Sequence, residues 1–333
     1  MSADPFNIDV LKSSCGYIDN FIDGKTIVSI NSILSQEQKM SLPIVEGNKS
    51  GLLKYTMLSV WYNMARKVPF VAAYNIDGTL EKKKIARKNF HLDPRIITTA
   101  QLDNDFYDLI KGFTEFEIGH MASHNEMSWG VNGTTQAHQT FHFSNSVPQV
   151  ERLNSGLWSK LESYVIAETN DSENKRIAVF TGPMLNSTDP YYVKDATFQV
   201  PLFFYKIIVF SFEGLLYSTA FVMSQLKRAQ ELNLIAVAPE RFEKGLIDFM
   251  PTPFNDYPHK EVFQVNIDLI EEYCDMQFKW TNVKRVKIPD DQRKLEKISQ
   301  TGGSTKNLKA NLESSQNEFK LTNMVLPSRK LFK

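Results

Sequence analysis

The sequence predicts an α+β protein with a central, mostly antiparallel sheet and flanking helices. Strand-like apolar runs recur along the chain, helical periodicity is confined to a few segments, and the two do not alternate as in a βαβ protein. The 333 residues are 42% hydrophobic and 12% aromatic. This composition supports a sizeable core and differs from that of a disordered chain.

The first two strands are predicted within residues 55–80, joined around Arg66-Lys67 and closed by the turn Asp77-Gly78. Further apolar runs predict strands at 176–185, 198–210 and 215–225. Residues 137–145 alternate with a period of two, which also predicts a strand.

Two helices are predicted, at 154–168 and 264–278. In the first, Leu161 and Val165 recur at helical spacing and are expected to face the core. Asn154 is a residue type that commonly caps a helix at its N-terminus. A shorter helix-like segment lies before residue 45.

The composition predicts three regions. Residues 1–45 are mixed and are taken as an N-terminal extension, and residues 46–284 hold the main domain. Residues 285–333 are rich in Lys, Arg, Ser, Asn and Gly, which predicts a flexible basic C-terminal tail.

Charge and cysteine content restrict the function classes. The chain has 38 basic and 38 acidic residues, so it has no global attraction to nucleic acid or to an anionic membrane. Any phosphate-binding surface must be local, and no membrane partner is expected. Cys15 and Cys274 are too few for a disulfide framework, which favours a reducing compartment. No secretory signal is visible, so we expect a cytoplasmic protein, with leaderless export as a toxin as the alternative.

Histidines cluster in the middle of the chain. Four of the six lie between positions 120 and 142. A zinc site is one interpretation, but ligands four residues apart on a strand would be about 13 Å apart. For His124, His138 and His142 we favour structural roles. His120 differs because a strand, a second strand and a helix are predicted around and after it.

The predicted helix could present polar groups to His120. Asn154 and Glu162 are eight residues apart with Trp158 between them. Each step of four residues drifts only about 40° around a helix, so the three share one face. If this face folds back onto the first strand, an imidazole and two oxygen-bearing side chains meet. Trp158 itself is expected to serve packing.

These residues resemble a family signature. The ordered set resembles the ββα-metal, or His-Me finger, motif of the DNA/RNA non-specific endonuclease family over roughly residues 50–280. Its members here are Glu117, Gly119, His120, Asn145, Pro148, Gln149, Asn154, Trp158, Leu161 and Glu162.

The resemblance implies a Mg²⁺-dependent endonuclease, with Mn²⁺ as a substitute, that hydrolyses phosphodiester bonds of DNA, RNA or both. By that likeness His120 is the general base and Asn154 is the direct metal ligand. Glu162 would hold a water of the hydrated ion and so contribute to both metal binding and catalysis. Asn145 would shape the site beside His120, or stabilise its loop as an Asx residue.

Two basic residues are candidates for substrate binding. Arg87 and Lys88 end the basic run 82–88, and they also lie in the segment 86–94, which resembles the family's upstream basic segment. Either could contact phosphate, and a solvated loop is the alternative interpretation.

The chain departs from the signature before Gly119. Glu117 stands in place of Asp, and Ile118 stands in place of an Arg that is expected to grip phosphate. Losing such a clamp costs about 3 kcal/mol of transition-state stabilisation. The alternative function is therefore a catalytically weakened nuclease-fold protein that acts as a nucleic-acid-binding or interaction module. A nuclease with narrowed substrate choice is a third hypothesis. We also expect control by an inhibitor or regulatory partner, or by assembly as a homodimer.

Overall fold

The computed structural model describes residues 4–46, 48–107, 116–151, 153–154, 158–159, 161–163, 165–166, 176–235, 262–287, 296–297 and 319–320. Its main feature is an eight-stranded sheet in the order β1-β2-β3-β6-β9-β10-β11, with β12 also paired to β10. The strands are β1 (Leu53–Tyr55), β2 (Leu58–Asn63), β3 (Val68–Asp77), β6 (Arg176–Pro183), β9 (Phe203–Phe212), β10 (Leu215–Ser224), β11 (Val262–Val265) and β12 (Val283–Arg285).

Smaller strand pairs surround this sheet. They are β4 (Glu117–His120) with β5 (Ser146–Gln149), β7 (Tyr191–Tyr192) with β8 (Asp195–Gln199), and β13 (Glu296–Lys297) with β14 (Phe319–Lys320). Among the described residues these strands pair antiparallel, except that β10 and β12 run parallel. The predicted α+β class with a mostly antiparallel sheet is confirmed.

The sheet forms because its long strands are apolar on both faces. All ten residues of β3 are buried, as are nine of the ten in β10. The predicted strand pair within 55–80 and the strands at 176–185 and 215–225 are confirmed. The run at 198–210 is divided between β8 and β9. Pro201 lies between them, and proline lacks the backbone N–H that a continuous ladder needs.

The helices are short. They are α1 (Ile8–Lys12), α2 (Gln36–Lys39), α3 (Asn104–Tyr107), α4 (Gly133–Gln139), α5 (Leu226–Glu231) and α6 (Ile267–Cys274), with 3₁₀ turns at Thr98–Ala100 and Phe143–Asn145. The described residues between 151 and 166 are also helical, and Leu161 and Val165 are buried as predicted. In the described ranges, no helix combines the length and apolarity that a bilayer crossing requires.

The strand predicted at 137–145 is wrong. Helix α4 ends at Gln139, and a 3₁₀ turn follows at Phe143–Asn145. The alternation misled because both sets of side chains are enclosed: Gln139, Phe141 and His142 are all fully buried. A period of two indicates a strand only where one side faces solvent. The argument from strand spacing against a zinc site therefore fails as well.

The N-terminal segment packs onto the sheet. Leu11, Val28 and Ile33 are buried in the common core, and the Trp61 indole N–H donates to the Ile30 carbonyl at 3.1 Å. The boundary at residue 45 stays a prediction. Most of the tail predicted at 285–333 lies outside the described residues.

Candidate active site

The candidate site is built on the β4–β5 hairpin and the helical segment that follows it. His120 pairs with Ser146 and Ile118 pairs with Pro148 in the antiparallel register. Pro148 therefore lies in strand β5. The order strand, strand, helix agrees with the predicted order, but the second strand is β5 and not the predicted segment 137–145.

Gly119 on β4 leaves space for a side chain of the paired strand β5. A Cβ at this position would overlap the side-chain amide of Gln149. The Gln149 side chain is fully buried, and neither end of its amide has a hydrogen-bond partner within the described part of the chain. Only glycine leaves room for this buried amide against β4.

His120 lies in an aromatic enclosure. Its ring centroid is 4.7 Å from that of Phe90 and 4.8 Å from that of Phe141. The side chain is buried, and among the described residues Nε2 has no hydrogen-bond partner. Burial, followed by the positive charge of Arg87 and the nearby His124, lowers the pKa of His120 to about 3. The imidazole is therefore neutral at physiological pH.

Asn145 ties together the two ends of the long connection between β4 and β5. Its Oδ1 accepts from the Ala122 backbone N–H at 3.0 Å, and its Nδ2 donates to the carbonyls of Ala122 and Thr140, each at 2.9 Å. These bonds fix the backbone two residues after His120. The amide is thus engaged with the backbone, as the loop-stabilising alternative expects.

Asn154 contacts the first strand. Its Nδ2 donates to Glu117 Oε2 at 2.8 Å. Leu153 and Asn154 lie in a π-helical turn, a local widening of the helix that is frequent at functional sites. Because Glu117 holds the nitrogen end of the amide, Oδ1 is directed away from this contact.

Glu162 lies at the other end of the same segment, near Ser123. It is partly exposed, yet protein atoms surround its carboxyl densely. Burial and the negative charge of Glu126 raise its pKa to about 8, while Lys206, Ser123 and Trp158 oppose the rise. The helix therefore passes the His120 segment with Asn154 beside Glu117, before His120, and Glu162 beside Ser123, after it.

The alternation of side chains along β4 would by itself place His120 on the opposite face from the residue that Asn154 contacts. Alternation along β4 places Glu117 and Gly119 on one face, and Ile118 and His120 on the other. The helix meets the first face at Glu117 and reaches beyond the end of the strand at Ser123.

The two basic candidates face different neighbours. Arg87 is exposed, and its guanidinium lies 5.4 Å from the Phe141 ring centroid, next to His120. Lys88 is also exposed, but its charge acts on His91 and His138. The structure places Arg87, and not Lys88, beside the imidazole of His120.

Comparison with known proteins assigns the family. The family model described as DNA/RNA non-specific endonuclease matches residues 37–284, which is most of the chain. The chain belongs to the DNA/RNA non-specific endonuclease family. The β4–β5 hairpin and its helix lie within the matched region.

Two curated relatives in this family are mitochondrial endonuclease G proteins. The human protein is 30% identical over 108 residues, which is 30% of this chain and 35% of the relative. The Bos taurus protein is 30% identical over 135 residues, which is 38% of this chain and 42% of the relative. The aligned part thus spans less than half of either relative. A crystal structure of an EndoG/EndoGI complex, concerned with the mechanism of EndoG inhibition, matches 68% of this chain and 84% of its own at 20% identity and a TM-score of 0.49.

The residues of this family member fit a hydrated magnesium ion. Mg²⁺ keeps several waters and takes one or two oxygen ligands from protein. Asn154 Oδ1 is a neutral oxygen on an amide that Glu117 holds in place. The Glu162 carboxyl, whose pKa is raised to about 8 in the metal-free protein, would hold a water of the ion, and the charge of the ion would favour its carboxylate form. In the part of the chain that the structure describes, no group of three His, Cys, Asp or Glu side chains could hold a metal ion.

Ile118 is the main departure of this chain from the family signature. Its side chain is half-buried, packs against the core and shares the face of β4 that carries His120. Where the family resemblance expects a guanidinium near phosphate, this face is apolar.

A buried ionic network behind the helix was missed by the sequence analysis. Lys206 Nζ lies 2.9 and 3.0 Å from the two carboxylate oxygens of Glu126, and 2.9 Å from the Tyr74 hydroxyl. Both charged side chains are fully buried. The available signal was a lone lysine inside the apolar run 200–210, because a buried lysine requires an acidic partner.

Proposed function

We propose that this protein is a divalent-metal-dependent endonuclease that hydrolyses phosphodiester bonds of DNA, RNA or both. His120 is the general base, Asn154 is the direct ligand of Mg²⁺ or Mn²⁺, and Glu162 holds a water of the hydrated ion. Arg87 contacts the phosphate, and Asn145 positions the backbone that carries His120.

One observation carries this proposal most directly. The imidazole of His120 is buried, yet its Nε2 has no hydrogen-bond partner within the described ranges, while the helix bearing Asn154 and Glu162 contacts the chain on both sides of it. Buried polar atoms are normally paired, and an unpaired one calls for a functional explanation. A water molecule or phosphate oxygen is the partner that the nuclease reaction supplies.

The reaction needs a base in its unprotonated form. Because the pKa of His120 is lowered to about 3, the neutral imidazole is present throughout the physiological range. In the tautomer protonated at Nδ1, Nε2 accepts a proton from the attacking water as its oxygen bonds to phosphorus. The bond from phosphorus to the leaving 3′-oxygen then breaks, and that oxygen takes up a proton from solvent water. The negative phosphate raises the proton affinity of the imidazole when substrate binds.

The remaining groups stabilise the negative charge of the phosphate and of the leaving oxygen. Arg87 neutralises part of the phosphate charge from the His120 side. A bound Mg²⁺ would stabilise the charge that develops on the phosphate and on the leaving oxygen. Glu117 keeps the Asn154 amide oriented, so that its oxygen is presented in one direction.

Plasmid nicking tests the proposal. We expect cleavage in Mg²⁺ that EDTA abolishes, and a loss of 10²-fold or more, roughly, in His120→Ala and Asn154→Ala. His138→Ala is the matched control, because His138 is a half-buried histidine of the same cluster and should leave the rate unchanged. Full cleavage by His120→Ala, or cleavage that persists in EDTA, would contradict the assignment.

A second candidate function is favoured by Ile118. With an apolar side chain on the His120 face, the protein could retain nucleic-acid binding through Arg87 and the basic run while its chemistry is slow. Binding without metal-dependent cleavage by the wild-type chain, measured by fluorescence anisotropy and nicking on the same DNA, would select this function.

Substrate class and assembly need their own measurements. Rates on single- and double-stranded DNA and RNA separate a promiscuous nuclease from one with narrowed choice, since equal cleavage of all four rejects narrowing. Homodimer formation and control by an inhibitor stay proposals. Sedimentation of the full chain measures the first.

A further inference from the structure

A segment that contains the basic run is fixed at both ends to the chain that follows the proposed base. At its first end, the Lys83 backbone N–H donates to the Ser128 carbonyl at 2.6 Å. The Gly130 N–H donates in turn to the Glu81 carbonyl at 2.9 Å. These two hydrogen bonds are of the kind that joins neighbouring antiparallel strands. We call residues 81–91 the basic strap.

The second end of the basic strap is fixed beside the proposed base. The His91 N–H donates to the Phe141 carbonyl at 2.8 Å, and the His91 carbonyl accepts from the Phe143 N–H at 3.0 Å. Phe90, the preceding residue, packs its ring against that of His120, with 4.7 Å between the centroids. Backbone hydrogen bonds therefore hold the strap in place, with its second end against the imidazole.

The basic strap carries a dense positive charge. It has five basic side chains within seven residues, namely Lys82, Lys83, Lys84, Arg87 and Lys88. Lys83 is half-buried and the other four are exposed. In the part of the chain that the structure describes, none of the five forms an ion pair. Positive charges that lack acidic partners at this density attract a polyanion.

The length of the basic strap suits several phosphates of one strand. Arg87 lies beside the imidazole, and the five residues from there back to Lys82 span at most about 18 Å. In duplex DNA each strand carries one phosphate per roughly 3.4 Å of helix axis. A strand that lies along the strap therefore brings up to about five phosphates, beyond the one at Arg87, opposite the lysines.

We propose that Lys82, Lys83 and Lys84 form a second phosphate-binding site, which holds the nucleic-acid backbone a few phosphates away from the bond that is cleaved. This proposal rests on the proposed function, in which Arg87 contacts the phosphate next to His120. The three lysines do not touch the reacting atoms. They bind the substrate strand through its charge, whatever its base sequence.

The test is the salt dependence of binding, measured by fluorescence anisotropy on the full chain. The probe is a labelled single-stranded DNA of about 16 nucleotides, and EDTA withholds the divalent cation so that the strand stays intact. On a single strand, each phosphate contact adds about 0.7 to the steepness of log affinity against log salt concentration. Lys82→Gln/Lys83→Gln/Lys84→Gln should lower that steepness by roughly 2. A steepness equal to that of the wild type would overturn the proposal.

A matched control removes the same charge elsewhere in the molecule. Lys279, Lys284 and Lys287 are exposed lysines in and around β12, outside the basic strap. Lys279→Gln/Lys284→Gln/Lys287→Gln changes the net charge equally and should leave the steepness unchanged. An equal fall in the two triple variants would show attraction by overall charge, and it would overturn the proposal.

Two more variants separate binding from folding. Lys83 is half-buried, and its Nζ lies 3.5 Å from the Val131 carbonyl. Lys82→Gln/Lys84→Gln changes exposed side chains alone and should lower the steepness by roughly 1.4. Replacing all three lysines with arginine keeps the charge and should keep the wild-type steepness. A fall in that arginine variant would overturn the proposal.

The outcomes for this surface and for the proposed function are separable. If the wild type cleaves plasmid in Mg²⁺ and the triple lysine variant keeps the wild-type steepness, the second phosphate-binding site alone falls. If the steepness depends on the three lysines but the wild type does not cleave, the chemistry proposed for His120 falls and the binding surface stands. Absence of binding by the wild type would overturn both.

Discussion

Ile118→Arg is the substitution that most directly probes the chemistry of this site. Ile118 is half-buried, and it lies two residues before His120 on the same face of β4. Along a strand that spacing is about 6.6 Å. An arginine side chain is long enough to bring its guanidinium beside a phosphate that contacts His120.

The expected gain in rate follows from placing a positive charge on the face of β4 that carries His120. One well-placed donor to a developing oxyanion contributes about 3 kcal/mol, or roughly a hundredfold in rate. Part of that gain is lost because Arg87 already lies near His120, so we expect an increase in kcat/KM of about 10- to 100-fold. Losing half-buried isoleucine packing costs about 1 kcal/mol of folding stability.

The assay is initial-rate nicking of supercoiled plasmid in Mg²⁺, with unfolding followed by circular dichroism. Ile118→Met is the matched control, since it supplies length without charge, and it should leave kcat/KM near the wild-type value. An Ile118→Arg protein that folds but cleaves no faster than Ile118→Met would refute the view that this position faces the phosphate.

Three further predictions concern stability. Because burial and Arg87 lower the pKa of His120 to about 3 in the folded state, the unfolded state binds more protons below about pH 6.5. His120 should therefore lower the free energy of unfolding by about 2 kcal/mol as the pH falls from 6.5 to 5. In His120→Gln, the unfolding free energy measured with urea should depend less steeply on pH over this range. Gly119→Ala should cost about 1–3 kcal/mol through overlap with Gln149, a loss that Gln149→Ala on the same chain should largely reverse. Asn145→Ala should lower the free energy of unfolding by about 3 kcal/mol through three lost hydrogen bonds and should leave Mn²⁺ affinity unchanged. A melting temperature equal to that of the wild type would contradict this structural role of Asn145.

Local patterns predicted the sheet well and one short segment badly. The strands β2, β3, β6 and β10 are long, apolar and bounded by turn residues or charges, so period and composition agree. Residues 139–145 are buried whichever way their side chains point, so the alternation of histidines with phenylalanines in 137–145 carries no information about solvent. Tertiary packing, and not local preference, decides the structure there.

The positions of the candidate residues in the fold were predictable where they follow the order of the chain. The spacing of Asn154 and Glu162 placed both on the helix, and the resemblance supplied His120. The choice between Arg87 and Lys88 was not predictable, because the run 82–88 has no regular period. The partner of Lys206 is 80 residues away along the chain, and only the fold brings Glu126 to it.

The central claim is that His120 and a divalent cation held by Asn154 act on the same phosphodiester. Crystals of the protein with Mn²⁺ and a phosphorothioate oligonucleotide, measured at a wavelength where manganese scatters anomalously, test it directly. We predict a manganese peak at Asn154 Oδ1 and one phosphate bridging the ion and the His120 imidazole. Manganese bound elsewhere, or a phosphate that reaches only one of the two residues, would contradict the account.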